Sequence, residues 1–82
     1  MQIYTDLIVF PEGETQEIEA GLAINSLVDV NGRSFELPLA TNRIIAYRVV
    51  KMRTQEERGE TKRFFFLELV PASELQAYVS RS

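Results

Sequence analysis

The chain of 82 residues contains no cysteine, no histidine and no tryptophan. Without cysteine there is no disulfide framework, no thiolate nucleophile and no cysteine-based zinc site. Without histidine there is no Ser–His–Asp triad and no imidazole to serve as a general base. These absences remove most of the side chains on which enzymes depend, so the sequence predicts a protein that is not an enzyme and has no catalytic residues.

Long apolar runs and clustered glycines are missing as well. The apolar run at residues 64–67, like the others in the chain, is far shorter than the roughly 20 residues that span a bilayer. The four glycines stand singly, so neither a phosphate-binding loop nor a dinucleotide fingerprint is present. The glutamates of residues 11–21 lack the spacing of a calcium loop. We therefore expect no membrane contact, no cofactor and no metal site.

Length and composition favour one small domain over residues 1–82. An apolar content of 45% and a charged content of 26% are typical of a folded globule. Residues 1–6 lack both the basic region and the long apolar region of a secretory signal, which favours a cytoplasmic protein. All of its stability must then come from packing, because no disulfide is available.

Charge is divided unevenly along the chain. Residues 1–40 hold seven acidic side chains and one basic side chain, whereas residues 43–63 hold seven basic and three acidic ones. The two segments either neutralise each other within the fold or give the surface two poles that attract an unlike-charged partner. The sequence pI of about 4.9 argues against nucleic acid as the first choice of partner, since dedicated binders are usually basic overall.

Turn residues and alternating apolar positions predict mostly strands. Residues 3–10 form a first strand that ends at Pro11, and residues 15–19 are expected to be extended within a loop. The pair Asn31-Gly32 predicts a type I′ hairpin in which Val28 faces Phe35.

Residues 43–70 predict a longer hairpin with its turn at Arg58-Gly59. Counting back from that turn, Met52 faces Phe65 on one side of the sheet. The other side then carries Tyr47, Val49, Lys51, Arg53, Phe64, Phe66, Glu68 and Val70. Both sides are partly apolar, which is typical of a central or curved strand.

The last residues predict a short helix that follows Pro71. Ser73 and Gln76 have the spacing of a capping box, and Leu75, Tyr78 and Val79 share one helical side. The predicted fold is all-β and mainly antiparallel, a five-stranded, strongly bent sheet or small SH3-like barrel with a short C-terminal helix. The alternative is an open antiparallel sheet with that helix packed on one face.

Three consecutive phenylalanines, residues 64–66, must divide between the two faces of their strand. If Phe65 is core, Phe64 and Phe66 point outward among cations, and rings beside Arg and Lys suit either protein contact or single-stranded nucleic acid. Alternatively, all three rings are core. We predict a non-catalytic interaction module that contacts a protein partner or a second copy of itself, with single-stranded nucleic-acid binding as the alternative. The candidate interaction surface comprises Tyr47, Lys51, Arg53, Lys62, Arg63, Phe64 and Phe66.

Overall fold

A computed structural model describes residues 3–79, which form five strands followed by one helical segment. The strands are β1 (Ile3–Val9), β2 (Thr15–Ile18), β3 (Leu27–Val28), β4 (Ala46–Glu57) and β5 (Glu60–Val70). A short helix α1 (Ala72–Leu75) continues into a 3₁₀ turn (Gln76–Tyr78). None of the helices within residues 3–79 has the length and apolar character needed to cross a membrane.

The five strands form one sheet in the order β2-β1-β5-β4-β3, curled into a half-barrel. This confirms the predicted all-β fold with a strongly bent sheet and a short C-terminal helix. Three of the four strand pairs are antiparallel, whereas β1 runs parallel to β5. The parallel pair makes the sheet mixed, and it is possible because a long stretch of chain separates the two strands and can return to the same end.

The β4–β5 hairpin turns at Arg58-Gly59, and Met52 faces Phe65 as predicted. A β-bulge between Val49 and Lys51 then shifts the register by one residue. Beyond the bulge Val49 faces Leu67 and Tyr47 faces Leu69. The prediction that Tyr47 and Val49 share a face with Phe66 is therefore wrong, because an inserted residue interrupts the alternation that the prediction assumed.

Each face of the sheet has its own buried cluster. On the side that we call the Phe65 face, side chains of β1, β3, β4 and β5 pack together, and the buried residues are Ile8, Val28, Val49, Phe65 and Leu67. On the opposite side, the Phe66 face, the C-terminal helix covers only the end of the hairpin near Val70. The buried residues there are Leu27, Leu39, Ala46, Val70 and Leu75.

The Asn31-Gly32 turn has a different geometry from the one predicted. Asp29 accepts backbone hydrogen bonds from Asn31 and Arg33 on Oδ1, at 2.8 and 3.0 Å, and its carbonyl accepts one from the Gly32 amide at 3.0 Å. Of the two turn residues only Gly32 has a positive φ, at 78°. The loop is thus one residue longer than that of a type I′ hairpin. Because of this extra residue Val28 faces Ser34, and the predicted Val28–Phe35 pair is wrong.

The C-terminal helix packs on the sheet as expected, but it is not capped by Ser73. Pro71 precedes α1, with no side-chain cap, and its carbonyl accepts hydrogen bonds from the amides of Glu74 and Leu75. The predicted capping box is wrong because the helix begins at Ala72, two residues before the first helical position that the box requires. Leu75 is fully buried, so packing rather than capping stabilises this short helix.

Candidate interaction site

Five of the seven predicted surface residues lie together on the Phe66 face, at the end of the hairpin that carries the Arg58-Gly59 turn. We call these five residues the aromatic patch: Lys51, Arg53, Lys62, Phe64 and Phe66. The other two, Tyr47 and Arg63, lie on the Phe65 face. The alternation of β5 therefore holds over residues 60–70, and the three phenylalanines divide as predicted, with Phe65 buried and its neighbours partly exposed.

Both rings of the patch lie between an aliphatic residue of β1 and a cation of β4. Phe64 has Leu7 on one side and Arg53 on the other, and Phe66 has Val9 and Lys51. Paired residues of adjacent strands share a face, so these side chains form one continuous surface. Leu7 and Val9 could not be predicted as part of this surface, because nothing local in residues 3–9 indicates that β1 pairs with β5.

The cations of the patch differ in what they contact. The ammonium of Lys51 lies 4.7 Å from the centre of the Phe66 ring, in cation–π geometry. Lys62 is 3.9 Å from a carboxylate oxygen of Glu60. Arg53 is exposed and forms no salt bridge with any carboxylate of the described chain. The guanidinium of Arg53 is therefore the group of the patch that is available to an acidic partner.

A shallow depression of about 480 Å³ lies beside this free guanidinium. Its walls are formed by Arg53, Thr54, Gln55, Phe64 and Phe66. Two partly exposed rings and a cation at the edge of a concave surface are the combination that dominates the energetics of protein contacts. The depression can take an apolar side chain and pair a neighbouring carboxylate with Arg53.

Arg63 does not belong to this surface, contrary to the prediction. Its guanidinium forms two hydrogen bonds to the carboxylate of Asp6, at 2.6 and 2.8 Å, and lies 5.8 Å from the centre of the Phe65 ring. The hydrogen bond with Asp6 raises the pKa of Arg63. Arg63 directly precedes Phe64 on a strand, so its side chain must point to the opposite face.

Tyr47 is likewise removed from the patch. The bulge at Val50 turns it to the Phe65 face, where its ring contacts Phe10 edge-on at a centroid distance of 5.4 Å. Tyr47 is only partly buried, and it packs against the cluster that contains Val49 and Leu67. Its contribution is to the packing of that cluster.

Arg48 marks the border of the patch on the Phe66 face. It donates one hydrogen bond to Glu68 and one to Glu74 of the C-terminal helix, both at 2.6 Å. The hydrogen bond with Glu74 raises the pKa of Arg48. This ion-pair network links the helix to the sheet, so the helix covers the Phe66 face near Val70 and leaves the patch uncovered.

Metal-ligating groups do not converge anywhere in residues 3–79, where no three Asp or Glu side chains are close enough together to hold a metal ion.

Comparison with known families gives a match over nearly the whole chain. A family model described as "Uncharacterised Treponema protein" matches residues 2–78. No curated protein and no solved structure matches the chain.

Proposed function

The chain belongs to this family, and we propose that it is a non-catalytic interaction module that binds a protein partner through the aromatic patch. The observation that carries the proposal is the partial exposure of Phe64 and Phe66, on a part of the sheet that the C-terminal helix leaves uncovered. Large rings that a fold leaves accessible beside a free guanidinium are characteristic of contact surfaces. A cytoplasmic setting is part of the same proposal.

The chemistry of the patch specifies the kind of partner. An apolar side chain of the partner enters the depression beside Phe64 and Phe66, and an acidic side chain next to it pairs with Arg53. The ion pair with Arg53 at the rim of the depression mainly sets the orientation and the association rate of the partner. Burial of the apolar side chain against the two rings supplies most of the affinity. The proposed partner is thus a protein segment that combines an apolar anchor with a neighbouring carboxylate.

Two features favour protein over single-stranded nucleic acid. Lys51 already lies over the ring of Phe66, so a base that stacked on this ring would have to displace it. In addition, Glu17, Glu57 and Glu60 lie on the same face as the patch, and their charges oppose a phosphate backbone. Nucleic-acid binding is therefore the alternative that the experiment must distinguish.

Selection from a displayed peptide library against the folded chain tests the proposal. We expect the selected peptides to share an apolar residue next to Asp or Glu. Phe64→Ala should weaken their binding by about tenfold or more, which is the effect of removing an interface anchor. The matched control is Leu69→Ala, which removes an exposed apolar side chain of the same strand from the Phe65 face and should bind as the parent chain does.

A parallel titration with mixed single-stranded oligonucleotides addresses the alternative. We expect the chain not to retain the oligonucleotides at about 50 mM salt. Binding that is measurable there and falls steeply as salt is added would identify nucleic acid, rather than protein, as the partner. Peptides that bind Phe64→Ala and the parent chain equally well would contradict the proposed surface.

A further inference from the structure

Among residues 3–79, no strand lies beside the outward edge of β4 over most of its length. The two-residue strand β3 pairs only with Tyr47 and Arg48, and the last backbone hydrogen bonds on that side join Val49 to Asn25 and Ser26, at 2.7 and 3.0 Å. From residue 50 to residue 57 every side chain is exposed, and within the described chain only β5 pairs with this segment. Alternate backbone amides and carbonyls of such an edge point to solvent and can pair with another strand.

The charges along this edge are complementary to those of a second copy of the edge that runs antiparallel to it. Thr54 is the centre, with Lys51 three residues before it and Glu57 three residues after it. In an antiparallel pair of two β4 strands centred on Thr54, Lys51 of each copy faces Glu57 of the other. Arg53 then faces Gln55, and Thr54 faces its own counterpart. Opposite charges and paired threonines are both favourable cross-strand neighbours.

We propose that two copies of this chain pair through residues 51–57 of β4, antiparallel, with Thr54 on the twofold axis. In an antiparallel pair, side chains that lie directly opposite each other point to the same face of the sheet. A twofold axis perpendicular to the sheet meets this condition only if one residue lies opposite its own copy. A centre at Arg53 would place two guanidinium groups opposite each other. A centre at Gln55 would bring Lys51 opposite Gly59 of the turn and shorten the pairing. Thr54 is the centre that uses the whole free edge.

The proposed dimer has a consequence for the aromatic patch. Two five-stranded sheets become one continuous ten-stranded sheet. Because the twofold axis is perpendicular to that sheet, the Phe66 faces of both copies point to the same side. The dimer therefore presents two patches to one partner surface, which increases avidity without any new contact. The pairing itself uses the edge of β4 and is independent of whether the patch binds a partner.

Cysteine cross-linking tests the register directly, because the natural chain has no cysteine. Thr54→Cys places two thiols opposite each other across the axis, where paired Cβ atoms are about 5 Å apart. We expect mild oxidation to convert this variant to a covalent dimer. Gln55→Cys on the same edge and Gln16→Cys on β2, at the far edge of the sheet, should cross-link at least tenfold more slowly. Equal rates for the three variants, or faster cross-linking of Gln55→Cys, would overturn the proposed register.

Charge exchange tests the pairing without oxidation. Lys51→Glu or Glu57→Lys alone creates two like-charge contacts in the dimer, and each should raise the dimer dissociation constant about tenfold in light-scattering titrations. The double variant restores opposite charges and should return that constant to within about threefold of the parent value. A double variant as weak as the single ones, or a parent chain that remains monomeric at millimolar concentration, would contradict self-pairing.

Phe64→Ala separates this inference from the proposed function. The variant removes a ring of the patch and leaves the free edge of β4 intact, so it should dimerise like the parent chain even if peptide binding is lost. A dimer that disappears together with the Phe64 ring would show that the copies meet through the patch instead.

Discussion

The two ends of the β4–β5 hairpin have the same backbone pairing but very different surroundings. Near the chain ends of the hairpin, Ala46, Val49, Leu67 and Val70 are all buried, and both faces are covered. Near the turn, every residue from 50 to 59 is exposed, and on the Phe66 face the rings are only partly covered. We call these the covered end and the open end.

The comparison shows that strand pairing alone does not make a core. At the covered end the C-terminal helix and Leu39 pack over the Phe66 face, while Leu22 and Val28 pack on the Phe65 face, so apolar side chains from both faces lose contact with water. At the open end β1 is a neighbour within the sheet, and Phe65 is buried beside Ile8 on one face while Phe64 and Phe66 stay partly exposed on the other. The covered end therefore supplies stability, while the open end leaves rings, cations and a strand edge accessible.

Truncation of adjacent rings should give the largest difference between two neighbouring positions. Phe65→Ala removes a ring that is 2% exposed and contacts the Ile8 cluster, which should cost about 3–5 kcal/mol of unfolding free energy. Phe66→Ala removes a partly exposed ring and should cost about 1–2 kcal/mol. Urea unfolding followed by circular dichroism measures both. Equal losses would mean that Phe66 is as much a core residue as Phe65.

A methyl group at Gly32 should be nearly as harmful, although this glycine lies in a turn. Its φ is positive, and an added Cβ would lie 2.7 Å from the γ2 methyl of Ile18, close to Ile8. The left-handed conformation and the overpacking together predict a loss of about 2–4 kcal/mol for Gly32→Ala. Gly13→Ala is the matched control, since its φ is also positive but no atom of residues 3–79 lies within 4 Å of an added Cβ. Its smaller loss in the same urea experiment isolates the packing contribution.

The Arg48 network should have the smallest effect on stability. Glu74→Gln removes one of its two carboxylates, and the loss should be about 0.5 kcal/mol because the pair is close to solvent. Glu74 raises the pKa of Arg48, so the contribution is complete below the unfolded pKa and is lost only as pH rises through the still higher folded pKa. The difference between parent and variant should thus be constant from about pH 7 to pH 9. A stability difference that vanished in this range would contradict its assignment to the ion pair of Arg48 and Glu74.

Local chemistry predicted some features of the candidate site correctly. The Arg58-Gly59 turn and the period of two along β5 were sufficient to place Phe64 and Phe66 together and Phe65 opposite. The same period places Arg63 on the opposite face from Phe64, so the alternation itself argued against Arg63 as part of the surface. Tyr47 is a different case, because the position of a bulge depends on how Val49 and Leu67 fit the cluster beneath them.

The sequence by itself determined which residues turn, which alternate and which chemistries are missing, because these depend on side chains within a few positions of one another. The tertiary structure alone decided that β1 runs parallel to β5, that Val50 bulges, and that the C-terminal helix covers one end of the hairpin and not the other. Those outcomes depend on contacts between residues far apart in the chain, where many arrangements share the same local pattern and burial selects among them.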